Sequence, residues 1–141
     1  MGTVYRIQCE DCGTGPYNCE CAGWVRDKLC LRDRHSTDFF LSTRPGMLVD
    51  FPHGLHDDME RYHCGFSSVE QIFYWFSAED LDMLRENGFK LAVYDVMPED
   101  RVASKSSAQV FFRREYAMLM ATREVPIALF RPDKRFAPRH A

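Results

Sequence analysis

The period of apolar and polar positions changes several times along the chain, and each change predicts an element. Thr3-Val4-Tyr5-Arg6-Ile7 alternates apolar and polar residues of β-branched and aromatic type, which predicts a first strand with Arg6 on the face opposite Tyr5 and Ile7. Residues 9–23 then gather Cys, Gly, Asp and Asn around Pro16, a loop composition, and Trp24 to Leu31 suits a short helix. From Arg32 to His63 the chain is punctuated by Pro45, Gly46, Pro52 and Gly54, and only Phe39-Phe40-Leu41 runs continuously apolar. An irregular stretch of that length is uncommon in a compact domain and often borders a functional site.

The next segment has the most definite local signals. Ser67-Ser68-Val69-Glu70 has the form of a capping box, with Ser67 accepting from a first-turn amide and Glu70 reaching back to it. A helix over about 68–76 follows, with Val69, Ile72, Phe73, Trp75 and Phe76 forming its apolar stripe. Ser77-Ala78-Glu79-Asp80 repeats the capping logic, and Phe76 and Leu81 bracket it as a hydrophobic staple, predicting a second helix over about 78–87. Gly88 suits the left-handed residue that closes this helix, and residues 89–96 read as a strand ended by Pro98. Gln109-Val110-Phe111-Phe112 is a further short strand, Tyr116 to Thr122 fits either helix or strand, Val125 to Phe130 looks extended, and residues 131–141 read as a loose basic tail.

A chain of 141 residues with 45% hydrophobic and 28% charged residues is expected to fold as one domain over residues 1–141. The element order predicts an α+β fold with a small mixed or antiparallel sheet and the two consecutive helices on one face, strand 3–7 lying near strands 89–96 and 109–112. No stretch approaches the roughly 20 apolar residues of a membrane helix, and the start of the chain has no apolar signal region, so a cytoplasmic location is expected. Residues 1–109 carry 11 basic against 18 acidic side chains, while residues 110–141 carry 7 against 3. The acidic body makes duplex nucleic acid an unsuitable partner and leaves the basic end as a solvated tail.

Candidate chemistry begins with the cysteines at 9, 12, 19, 21, 30 and 64. Cys9-x-x-Cys12 and Cys19-x-Cys21 could supply four thiolates to a tetrahedral zinc. The six intervening residues, with Gly13, Gly15 and Pro16, form a tight segment, so the expected state is reduced thiols without metal, and any metal is expected at Cys9, Cys12, Cys19 and Cys21 alone. Cys30 and Cys64 read as small buried hydrophobes. His53, His56 and His63, near Asp57 and Asp58, are a further candidate for a metal or a general base. Walker-type, G-x-G-x-x-G, H-E-x-x-H and G-x-S-x-G signatures are all absent from the sequence.

The segments Tyr5-Arg6-Ile7, Gly15-Pro16-Tyr17, Cys64-Gly65-Phe66-x-Ser68-x-Glu70-Gln71, Trp75-Phe76, Gly88-Phe89 and Gln109-Val110-x-Phe112 resemble small proteins of tailed phages and prophages. Their order is similar in layout to the R-S-E class of ADP-ribosyltransferases. That resemblance implies an NAD cofactor whose phosphates Arg6 holds, a site ordered by Ser67 or Ser68, a cleft rimmed by Tyr17 and Phe66, and Gln109 in the place of the catalytic Glu. An amide there carries no charge to stabilise an oxocarbenium-like transition state, which makes nucleotide binding without turnover as reasonable an expectation as transfer. On this resemblance the chain binds NAD or a related nucleotide and modifies or inhibits a host protein. The alternative is a non-enzymatic phage product that binds and inhibits a host enzyme or defence component.

Overall fold

The computed structural model describes residues 2–16, 19–33 and 50–127. Strand β1 (Gly2–Cys9) leads to helix α1 (Trp24–Asp33), a 3-10 helix (His53–Arg61), β2 (His63–Gly65), α2 (Val69–Trp75), α3 (Ala78–Glu86) and β3 (Phe89–Val96). Short strands β4 (Arg101–Ala103) and β5 (Val110–Phe112) and the longer β6 (Met118–Glu124) complete the fold. The α+β class, the strand at residues 89–96 and the two consecutive helices agree with the sequence reading.

Among the described residues two three-stranded sheets form, in the orders β1-β3-β6 and β2-β5-β4, with all pairings antiparallel. β1 and β3 pair over their whole length, from Gly2 opposite Val96 to Cys9 opposite Phe89. The strand expected over 109–112 therefore does not join β1 and β3. It lies in the second sheet, between β2 and β4. The two sheets meet where Tyr5 and Phe66 exchange backbone hydrogen bonds of 2.8 and 2.7 Å. Gly65 makes this junction possible: a Cβ there would stand 2.5 Å from Val4 Cγ1 and 3.1 Å from the Tyr5 carbonyl oxygen.

Alternation along β1 sends its side chains to two different cores. Ile7 and Cys9 join Ile72, Trp75, Phe76, Leu81 and Leu84 from the helices, together with Phe89 and Leu91. Val4 on the opposite face packs with Ala92, Tyr94 and Val96 of β3 and with Val110 and Phe112 of the second sheet. Helices α2 and α3 thus cover one face of the first sheet, as their apolar stripes predict, and the second sheet covers the other. Arg6 and Gln8 share the Val4 parity and project between the sheets. β6 stands at the edge of the first sheet beside β3, where Met118, Leu119 and Met120 are all exposed.

The helix starts are built by their caps. Ser77 Oγ accepts from the Asp80 amide and Asp80 Oδ2 from the Ser77 amide, each at 3.1 Å, completing the expected box. At α2 the cap is shifted by one residue from the sequence reading. Ser68 is the N-cap, its Oγ accepting from the Gln71 amide at 3.4 Å, while Gln71 Oε1 accepts from the Ser67 amide at 2.7 Å. Gln71, not Glu70, is the reciprocal partner. Gly88 closes α3 with φ +86°, the left-handed value expected of it. Among the described residues no helix is long and apolar enough to cross a membrane. The expected tail at 131–141, residues 128–130, Phe39-Phe40-Leu41 and the Cys30 side chain lie outside the described residues.

Candidate metal centre

Cys9 is the last residue of β1, and the chain reverses immediately after it. The Gly13 amide donates to the Cys9 carbonyl and the Cys9 amide donates to the Thr14 carbonyl, both at 2.8 Å. Gly13 takes φ +73°, a conformation that a side chain would strain, so Cys9-Glu10-Asp11-Cys12-Gly13 closes into a tight knuckle. Cys19 and Cys21 lie just ahead of α1, whose first turn is approached through the Val25 amide bonding to the Ala22 carbonyl at 3.0 Å. Strand end and helix start converge. The thiol sulfurs of Cys9, Cys12, Cys19 and Cys21 all lie within 4.8 Å of one another.

That geometry has a direct chemical reading. A tetrahedron of thiolates around zinc has arms of about 2.3 Å and hence sulfur–sulfur edges of about 3.8 Å. Cys12 and Cys19 stand 3.7 Å apart. Cys9 and Cys19 are buried, Cys12 is half-buried and Cys21 is exposed, so the cluster sits at the rim of the helix-side core. The thiols also differ in acidity. Hydrogen bonds from the Thr14 hydroxyl, 2.9 Å from the Cys12 sulfur, and from the Thr14 amide pull Cys12 down to about 5. Hydrogen bonding to Cys12 and Cys9 pushes Cys21 up to about 12, and burial raises Cys19. One thiolate forms readily and, without a cation, discourages the rest. The four thiols form one cluster rather than lying scattered along a loop.

The residues assigned by the transferase resemblance have other partners. Gln109 is buried, and its side-chain amide donates to Asp50 Oδ2 at 3.0 Å. Asp50 also accepts from the Ser106 amide at 2.7 Å and hydroxyl at 2.8 Å, so this buried carboxylate clamps the turn before β5. Ser67 is exposed and donates its hydroxyl to Gln71 at 3.1 Å, and Ser68 caps α2. Phe66 lies in the core, edge-on to Trp75 at 5.6 Å and Phe76 at 6.3 Å, rather than on the rim of a cleft. Tyr17 lies outside the described residues, as do the side chains of His53, His56 and Asp57. Arg6 is buried, not a surface residue, and its Nη1 donates to the Cys64 carbonyl at 2.7 Å. Sequence reasoning missed Asp50 and Arg114. Asp50 sits in an irregular segment with no periodicity, and Arg114 follows β5 where the pattern is weakest.

Comparison with known proteins adds a family. The family model described as Bacteriophage T4 Y00F protein matches residues 1–126. The chain belongs to this family. The matched span takes in both sheets and all four clustered cysteines of this T4 Y00F family member. A relative in Enterobacteria phage T4, named "Uncharacterized 19.7 kDa protein in motB-dexA intergenic region", is 43% identical over 58 residues. That alignment covers 41% of this chain and 34% of the T4 protein, so the chain spans about a third of that relative's length. Neither match carries the name of an ADP-ribosyltransferase. No solved structure matches.

Proposed function

We propose that this phage protein is a zinc-organised binding domain, held together by a four-thiolate centre at Cys9, Cys12, Cys19 and Cys21, that acts on a host protein by association rather than by catalysis. The convergence of four thiols within 4.8 Å carries the reading. Four protein sulfurs fill a tetrahedral zinc and leave no open position for water or substrate, which is the arrangement of structural rather than catalytic sites. A reducing host cytoplasm keeps such thiols available for metal. Two of the three groups that transfer chemistry would need, Ser67 and Gln109, are engaged in holding local structure. The exposed Met118, Leu119 and Met120 of β6, at the edge of its sheet among the described residues, supply apolar surface for a partner protein.

Chelation and NAD turnover test both halves of this reading. Removing zinc from the native protein with a strong chelator should lower Tm by about 10 °C or more, given that each kcal/mol is worth about 2–4 °C in a domain of this size, and added zinc should restore it. The zinc-loaded protein should release no nicotinamide from NAD in the presence of host lysate. Chelation without effect on Tm contradicts the metal centre. Nicotinamide release lost on substitution of Gln109 or Ser67 returns the transferase reading.

A further inference from the structure

Arg6 is a buried arginine without a carboxylate partner among the described residues, which is an expensive arrangement for a charged group. Ordinarily a buried guanidinium is paired with an acid and its remaining donors are satisfied. Here the Nη1 bond to the Cys64 carbonyl is made, but Nε is buried with no acceptor. The surroundings add positive charge. Arg6 lies against Gly15, with Nη2 3.4 Å from where a Cβ at that position would stand, and Arg114 lies against Gly13 in the same way, also at 3.4 Å. Arg114 further donates to the Gly13 carbonyl. Both guanidiniums therefore line one short loop, residues 13–15.

A third nitrogen base completes the wall. His63 of β2 is half-buried, packs on Phe112 with ring centroids 6.4 Å apart, and feels both Arg6 and Arg114. Burial and these two cations hold it down to about 4. The other groups that act on Arg6 are the Cys64 thiol and the Tyr94 hydroxyl, and Tyr94 already donates to Gln8 at 3.0 Å. The acid next in sequence to Arg114, Glu115, is exposed and pairs with Arg61 at 3.5 Å. Among the described residues no carboxylate forms an ion pair with Arg6 or Arg114, and the nearby buried Asp50, which acts on Cys64, is bound to Ser106 and Gln109.

We infer that Arg6, Arg114 and His63, beside the Gly13–Gly15 loop, form a binding site for a phosphate-type oxyanion. Two guanidiniums supply planar donor forks suited to phosphate oxygens. A bound anion would remove the like-charge repulsion and give the unsatisfied donors of the cluster an acceptor. The source is a free phosphate or pyrophosphate, or the phosphates of a nucleotide such as NAD or ADP-ribose. This site adjoins the cysteine cluster through Gly13 and Thr14, so metal content read beside anion binding distinguishes failure of the one from failure of the other.

Calorimetry and NMR on the zinc-loaded full chain test it, with metal content measured on the same samples. Pyrophosphate should bind saturably, and the His63 midpoint should rise by at least one pH unit at saturation. Arg114→Gln should weaken pyrophosphate at least tenfold, with circular dichroism and zinc content read on the same sample to show that losing its bond to the Gly13 carbonyl leaves the fold and the cysteine knuckle intact. Because Arg114 is only partly buried, that variant should fold even if Arg6→Lys does not. Phosphate and pyrophosphate binding alone identify a simple anion site, whereas ADP-ribose binding at least tenfold tighter than pyrophosphate identifies a nucleotide site. The inference is overturned if pyrophosphate at tens of millimolar leaves His63 unmoved, if its effect is matched by equal ionic strength of sodium chloride, or if Arg114→Gln binds as the wild type does.

Discussion

At the scale of single residues, His63 ties acidity to stability in a defined direction. Its folded value of about 4 lies below the ordinary value of 6.5, chiefly because burial and then two arginines disfavour its cation. Above the ordinary value the ring is neutral in folded and unfolded chains alike and adds no pH dependence. Between the two values the unfolded chain binds the proton and the folded chain does not, so stability falls as pH drops through that window. Urea unfolding between pH 7 and pH 4.5 should therefore show a steeper loss for the wild type than for His63→Gln. Equal slopes would mean that His63 titrates normally in the folded protein. Arg6 carries a related lesson. Its alternating strand position was legible in the sequence, but its burial was not, because the covering sheet is contributed by residues more than fifty positions away.

At the scale of elements, the caps were the most legible features and also the most easily tested. The reciprocal Ser77–Asp80 bonds at 3.1 Å start α3, which contributes Leu81 and Leu84 to the core. Ser77→Ala should cost about 1 kcal/mol by urea unfolding. Ser68→Ala should cost less, since its cap bond is 3.4 Å and Gln71 holds the neighbouring Ser67 amide independently. A Ser77→Ala variant as stable as the wild type would show that α3 is held by packing alone. Element pairing was less legible. β5 is three residues long and buried on both faces, with Phe111 against Phe51 and Phe112 against Tyr94. A run without alternation cannot say which sheet it enters. β6 was ambiguous for the opposite reason: at a sheet edge nearly all its side chains are exposed, so no period-two pattern marks it.

At the scale of the whole molecule, the described residues form two small sheets packed face to face with helices on one outer face, and the cysteine cluster brings the end of β1 beside the start of α1, where a bound metal would tie them. A domain of this size gains from such a tie, because a bound metal cross-links segments that share one core. The sequence shows the four cysteines plainly, but the tight spacing between the pairs argued against a shared site. The reversal at Gly13 and the return of the chain to Thr14 are tertiary facts that spacing alone does not disclose. Membership in the T4 Y00F family accounts for residues 1–126 and names no chemistry, so the functional reading rests on the proposed metal centre at the four clustered cysteines. X-ray absorption at the zinc edge, on protein purified without added metal or chelator, measures it most directly. One zinc per chain surrounded by four sulfur atoms at about 2.3 Å is the expected result. Protein free of zinc whose four clustered thiols react at once with a thiol reagent, or zinc bound through nitrogen and oxygen, would contradict it.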